Sequence, residues 1–175
     1  RHRDPVAGAG MTRRDLRRPL EGGDLPYIDA HRRGVPLNDA SDSSPAINAI
    51  VGSTTVPVEI RFRPGVSIKL SQRVSLRSGV SLNFTGVKVS VDSAVANSAI
   101  YATGSANVGI VGGEIEGAGT APVSSLEHLL EFVNCTGVRI RNVSVTKSRQ
   151  DGIRLQGCSG VTIDDDDMDN PSVVD

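Results

Sequence analysis

The sequence predicts an all-β solenoid of stacked parallel coils, closed at its N-terminal end by a short helix. Three observations predict it: β-branched runs with a period of two fill the chain from Val56 onward, a block of residues recurs at a fixed offset, and one amphipathic helix precedes them. The helix comes first. In Ser43-Ser44-Pro45-Ala46-Ile47-Asn48-Ala49-Ile50-Val51 a serine N-cap candidate and a proline at the first helical position lead into apolar residues at 46, 47, 50 and 51. The strands follow as Val58–Phe62, Val66–Leu70, Val74–Leu76, Val80–Leu82 and Val87–Val91, punctuated by Gly and Asn, with almost no helix among them.

The repeat decides how these strands are arranged. Leu130-Glu131-Phe132, Cys135, Val138 through Val143 and Val145 recur as Ile153-Arg154-Leu155, Cys158, Val161 through Asp166 and Met168, each pair 23 residues apart. Ile100, Ala102, Val108, Ile110, Gly113 and Ile115 precede the first block by 30, and the seven extra residues fall in the loop-like stretch Gly117–Leu126. A unit of short strands without a crossover helix cannot bury its own apolar face, so it stacks on its neighbours. Equivalent positions then lie one strand spacing apart, about 4.8 Å, which puts Cys135 over Cys158, Val138 over Val161 and Ile140 over Ile163. Asn142 and Asp165 fall at the bend after the Val-x-Ile strand, where left-handed backbone geometry is wanted. Residues 56–170 make about five coils, and the short helix is placed to cover the first, because an open solenoid end exposes core and unpaired backbone. The acidic stretch from Asp164 to Asn170 offers no such cover. Asp166 stands where Val143 faces inward, and an ionised carboxylate is costly to bury, so the expectation is an N-terminal part of a β-solenoid truncated at its C-terminus.

Composition bounds the function classes. Only 3% of the 175 residues are aromatic, there is no Trp, and 19 basic against 20 acidic residues give a net charge of −1, which offers nucleic acid no overall electrostatic attraction. No apolar run reaches the roughly 20 residues that span a bilayer, so no membrane partner is expected. Two Cys make neither a disulfide framework nor a four-ligand zinc site. Six Arg crowd residues 1–20 and six Asp crowd residues 164–175. Residues 1–24 read as a disordered basic leader and 25–175 as the solenoid domain. Thr12-Arg13-Arg14-Asp15-Leu16-Arg17 is similar to a twin-arginine export motif, but Pro19–Asp24 follows where an apolar region belongs.

Tyr27-Ile28-Asp29-Ala30, Gly34, Asn38-Asp39-Ala40 and Ala46–Ile50 resemble the opening motif of pectate-lyase-superfamily β-helix proteins. Ile60–Gly65 and Val74–Leu82 resemble their first coils, and Asn107-Val108-Gly109-Ile110-Val111-Gly112-Gly113-Glu114-Ile115-Glu116-Gly117 is similar to a coil of polygalacturonase-like glycoside hydrolases. The resemblance implies a right-handed, single-stranded parallel β-helix of the pectin-lyase type. It implies a secreted, extracellular parent enzyme that hydrolyses an acidic or other plant or microbial polysaccharide. A polysaccharide lyase, in which calcium assists a base, is the sister reading, and a non-catalytic β-helix such as a phage tail-spike, adhesin or carbohydrate-binding module is the opposing one. Hydrolysis by inversion needs two carboxyl groups about 6.5–9.5 Å apart. The Asn-Thr-Asp, paired-Asp, Gly-His-Gly and Arg-Ile-Lys motifs that supply this chemistry in polygalacturonases do not occur in the sequence, and the family order places them after Asp175. Arg149-Gln150-Asp151-Gly152-Ile153 is the nearest match to the first of them, which makes Asp151 the catalytic candidate by resemblance.

Other candidates are weaker. The 23-residue offset makes Glu131 and Arg154, and Arg141 and Asp164, lateral neighbours, read as exposed ladder pairs. Asp165-x-Asp167-x-Asp169 opens like a calcium loop, but Asn170 replaces the glycine, so no metal site is assigned. Cys135 and Cys158 read as small apolar packing. His2, His31 and His128 have no Ser or Cys partner at a meaningful spacing. Asn83, Asn134 and Asn142 match glycosylation acceptors by pattern only.

Overall fold

A computed structural model describes residues 25–119 and 125–164, together with the backbone of 167 and 168. The expectations for the leader over 1–24, for Asp165 and Asp166, and for the calcium-like run lie outside the described residues.

Every period-two run forms a strand where it was expected. In chain order the elements are β1 (Tyr27–Asp29), α1 (Ser44–Ser53), β2 (Val58–Arg61), β3 (Ser67–Leu70), β4 (Val74–Ser75), β5 (Val80–Asn83), β6 (Lys88–Val91) and β7 (Asn97–Thr103). They continue as β8 (Gly109–Val111), β9 (Glu114–Glu116), β10 (Leu126–Val133), β11 (Arg139–Arg141), β12 (Ser144–Thr146), β13 (Ile153–Gln156), β14 (Thr162–Asp164) and β15 (Asp167–Met168). A single 3-10 turn, His31–Arg33, follows β1.

All strand pairs are parallel, and they stack into three sheets: β1-β2-β5-β8-β11-β14, β3-β6-β9-β12-β15 and β4-β7-β10-β13. Each coil contributes one strand to each sheet. The described residues complete four coils, and β14 and β15 begin a fifth. The core is therefore a set of side-chain ladders. Ile28, Ile60, Leu82, Ile110, Ile140 and Ile163 are successive register partners on the first sheet. Ile68, Val89, Ile115 and Val145 form the second ladder, and Val74, Ile100, Leu130 and Ile153 the third. The 23-residue offset appears as Ile140 on Ile163, and the 30-residue offset as Ile110 on Ile140. The seven-residue insertion also falls where it was read: Gly117 N–H donates to Thr146 O, whereas Gln150 N–H donates to Glu127 O. Corners recur with the coils. Asn107, Gly137 and Gly160 all have positive φ (55°, 66° and 63°) at one equivalent position, where Asn and Gly are interchangeable because both tolerate left-handed backbone.

The N-terminal segment closes the first edge of all three sheets. On the first, β1 pairs with β2. On the second, Ser43 N–H donates to Lys69 O, and Asp42 Oδ1 accepts from Ser71 N–H. On the third, the Asn48 carboxamide replaces a strand: its Nδ2 donates to Arg73 O and its Oδ1 accepts from Ser75 N–H. Ile47, Ile50 and Val51 of α1 cover the core. The helix cap differs from the serine expected. Ser43 makes no side-chain capping bond, and Asp42 Oδ1 takes the Ser44 N–H instead. Burial works to raise the Asp42 carboxyl, but bonds from Ser71, Ser44 and Gln72 outweigh it and hold it below the ordinary range.

Candidate functional site

β7 and β10, seven and eight residues long, are the longest described strands, and they lie side by side on the third sheet. Their register shifts between Leu126 and His128, a local bulge of the kind that re-aims a side chain. Outside these strands runs a trough of about 270 Å³, lined by Arg73, Tyr101, Glu127, His128, Glu131 and Arg154 among others. That is just below the roughly 300–1,000 Å³ of small-molecule pockets, so it is a shallow recess on a long face. Two larger recesses gather fewer ionisable groups. One of about 470 Å³, beside Pro57, Asn107 and Val108, has Arg139 as its charged residue; one of about 460 Å³ lies at Leu155, Cys158 and Val161.

The trough is floored by a chain of four charged or polar groups. The Arg154 guanidinium donates from Nη1 to His128 Nε2 (3.1 Å) and to Glu131 Oε1 (3.3 Å), and from Nη2 to Gln156 Oε1 (3.5 Å). Guanidinium has donors only, so His128 Nε2 must present its lone pair, and the imidazole proton resides on Nδ1. That nitrogen lies 3.1 Å from Asp151 Oδ2, close but without the alignment of a hydrogen bond. Carboxylate, neutral imidazole, guanidinium and carboxylate thus alternate across adjacent coils. The His128 side chain is 2% exposed and that of Glu131 11%, so these are not solvated surface groups. On the rim, the Arg73 guanidinium stacks 4.8 Å from the Tyr101 ring centroid and donates to Ala96 O.

Asp151 is thereby located: its backbone is held by Leu129 N–H and the Ser148 hydroxyl, both donating to its carbonyl, and its carboxylate stands behind His128. The Glu131–Arg154 neighbours expected from the repeat are present, but Glu131 is largely buried rather than exposed, with Tyr101 and His128 beside it, while Arg154 keeps about a third of its side chain open at 36%. The Arg141–Asp164 pair is at the surface as expected, at 3.2 Å. His31 is exposed in the 3-10 turn. The sequence reading missed His128, although the offset of 23 that joins Glu131 to Arg154 also carries residue 128 to residue 151. Ser98 is the register partner of His128 one coil earlier, so a serine, a histidine and an aspartate do stack. Ser98 Oγ is fully buried and makes no hydrogen bond, so it is not an activated nucleophile.

Elsewhere the chemistry is structural. Cys135 and Cys158 are unbonded to each other, and burial pushes the Cys135 thiol up. On the second sheet Lys88 and Lys147 both bind Glu116, which they hold down at about 2. Among the described residues no group of three or more His, Cys, Asp or Glu is gathered as for a metal, and no helix is long and apolar enough to cross a membrane.

No protein-family model matches the chain, and no curated protein matches its sequence. Among solved structures, the fold is similar to a protein from Parabacteroides merdae described as a "putative glycosyl hydrolase", with a TM-score of 0.69 at 16% identity. The similarity covers 83% of this chain and 76% of that one. At that identity the likeness is one of fold: a parallel β-solenoid.

Proposed function

We propose that the chain belongs to a secreted, polysaccharide-acting β-helix protein, of the polygalacturonase-like glycoside hydrolase type that its motifs resemble, and that the trough on the third sheet contacts the glycan. One observation carries this reading. A chain of ionisable groups, with His128, Glu131 and Asp151 largely buried and Arg154 partly open, lies on the outward face of a sheet, where burying charge is costly, and its edge opens into a recess lined by a tyrosine. Sugars are bound by such surfaces, with an aromatic ring against the C–H face and charged groups against the hydroxyls. Asp151 would act through His128 as a positioning residue, its carboxylate standing beside Nδ1, while Glu127 and Glu131 are the carboxyl groups in reach of a ligand. The similarity to a protein described as a glycosyl hydrolase supports the same class.

A non-catalytic glycan-binding role is favoured by one specific feature: the Glu131 carboxylate is already engaged by Arg154, whereas a general acid must have a proton to give. The test is to incubate the protein with soluble polysaccharides and follow both bond cleavage and binding. New reducing ends mark a hydrolase, unsaturated products that need calcium mark a lyase, and binding without cleavage marks a binding module. Tyr101→Ala should weaken binding about tenfold or more and lower the unfolding midpoint, because the ring carries Arg73, whereas Tyr101→Phe should keep both. An unchanged affinity would move the contact away from this trough.

A further inference from the structure

The corner that leads into the first sheet holds the recess of about 470 Å³. Pro57, Gly79, Ala106 and Gly137, from four successive coils, line it, so it runs along the stack over three strand spacings, roughly 14 Å. Its volume lies within the range of small-molecule pockets. Two features set it apart. The first is apolar exposure: among the described residues the exposed large apolar side chains are Leu25 and Val56, at 41% and 56%. Leu25 lines the recess, and Val56 precedes Pro57, which lines it too. One exposed apolar residue needs no explanation, but two beside a single recess make a patch. The second is an unpaired cation. Of three arginines on the outward face of the first sheet, Arg61 is bound to Glu59 and lies over the Tyr27 ring, and Arg141 is bound to Asp164. Arg139 is exposed at the recess and has no ion pair or side-chain hydrogen bond among the described residues. Gly109 stands between Ser81 and Arg139 in register, and a Cβ there would press on the Ser81 hydroxyl at 2.8 Å and on the Arg139 carbonyl at 3.2 Å. Its φ is not positive, so the backbone does not call for glycine; the missing side chain is what lets the Ser81 hydroxyl and the guanidinium border one recess. The strands around it are paired on both edges, so an extended peptide finds no backbone to join, and a recess this small falls short of the roughly 1,000 Å² that a protein partner needs.

We infer that this recess is a binding site for a small amphipathic carboxylate, with the apolar body laid toward Pro57 and Leu25 and the carboxylate on the Arg139 guanidinium, whose fork of donors matches it. The site lies on a different face from the trough and does not depend on the glycan-binding reading. The experiment titrates the full chain with octanoate, octanol and octylamine, one tail with three different heads, and with acetate, the charge without the tail, at low and at physiological salt. Octanoate should saturate one site, at least about fivefold tighter than octanol and about tenfold tighter than acetate or octylamine, with an affinity that falls as salt rises. Arg139→Gln, a change to an exposed side chain, should leave the unfolding midpoint where it is and reduce octanoate affinity to that of octanol. Arg139→Lys should keep part of the preference, because an ammonium supplies the charge without the fork. Leu25→Ser should weaken octanoate and octanol alike, by about threefold or more. An octanoate titration that does not saturate, equal affinities for octanoate and octanol, or octanoate binding untouched by Arg139→Gln would each overturn the inference, whatever the glycan titrations give.

Discussion

Glu131–Arg154 on the third sheet joins the third coil to the fourth, and Arg141–Asp164 on the first joins the fourth to the fifth, at the same offset and at nearly the same distance, 3.3 and 3.2 Å. Their side chains are 11% and 36% exposed in the first pair, and 53% and 49% in the second. The repeat dictates who stands beside whom; it does not dictate what covers them. On the first sheet, three-residue strands β11 and β14 leave the pair to solvent. On the third, the longer strands β7 and β10 bring His128 and Tyr101 alongside, and Asp151 comes up behind His128. An ion pair with one partner buried is costlier to break and more sensitive to its neighbours than a fully solvated one, which contributes little.

The largest expected effect comes from breaking the buried pair. Glu131→Ala leaves the Arg154 guanidinium beside a neutral imidazole and should lower stability by roughly 1–3 kcal/mol, the upper part of the buried-pair range being reduced by the partial exposure of Arg154. Arg141→Ala should cost no more than about 0.5 kcal/mol. Denaturant midpoints of both variants measure the difference, and equal midpoints would erase the distinction between the two faces. Next in size is Asp151→Asn, which removes the charge beside His128 Nδ1 and is expected to cost about 1 kcal/mol. Nitrogen chemical shifts of the imidazole should show the proton on Nδ1 in the unmodified protein and in the variant alike, because Arg154 holds Nε2 as the acceptor; an Nε2–H imidazole in the unmodified protein would refute that contact.

The smallest effect sharpens the comparison with a third face. On the second sheet Lys147 and Lys88 depress the Glu116 carboxyl from 4.5 to about 2, so its contribution is fully present above pH 4.5 and is lost as pH falls through about 2. Lys88, raised above 10.5 chiefly by Glu116, contributes below that pH and ceases to as its ammonium deprotonates. Glu116→Gln should flatten the dependence of the unfolding midpoint on pH between 4.5 and 2, with a small change at neutrality. An unaltered acid limb would show that the ladder on this face adds nothing to stability.

The strands and the ladder partners were legible in the sequence because both follow from short-range pattern: a period of two, and one offset repeated through Cys135, Val138 and Ile140. The earlier coils were less legible. Ile60 to Leu82 is 22 residues and Leu82 to Ile110 is 28, since corners absorb insertions without disturbing the register between them. The candidate site was half legible. Glu131 and Arg154 follow from the repeat and Asp151 from a motif likeness, but His128 is not legible along the chain, because its partners lie one coil away and no local spacing marks them.

By itself, then, the sequence determined the solenoid, its ladders, the position of the seven-residue insertion and the capping role of the helix, because each is a consequence of periodicity and of apolar faces that have to be covered. Only the tertiary structure decided which polar ladder is buried. It decided that Asp42 and Asn48 complete the cap and that His128 stands between Asp151 and Arg154. Burial and hydrogen-bond direction depend on what neighbouring coils place overhead, and that is information a one-dimensional pattern does not contain.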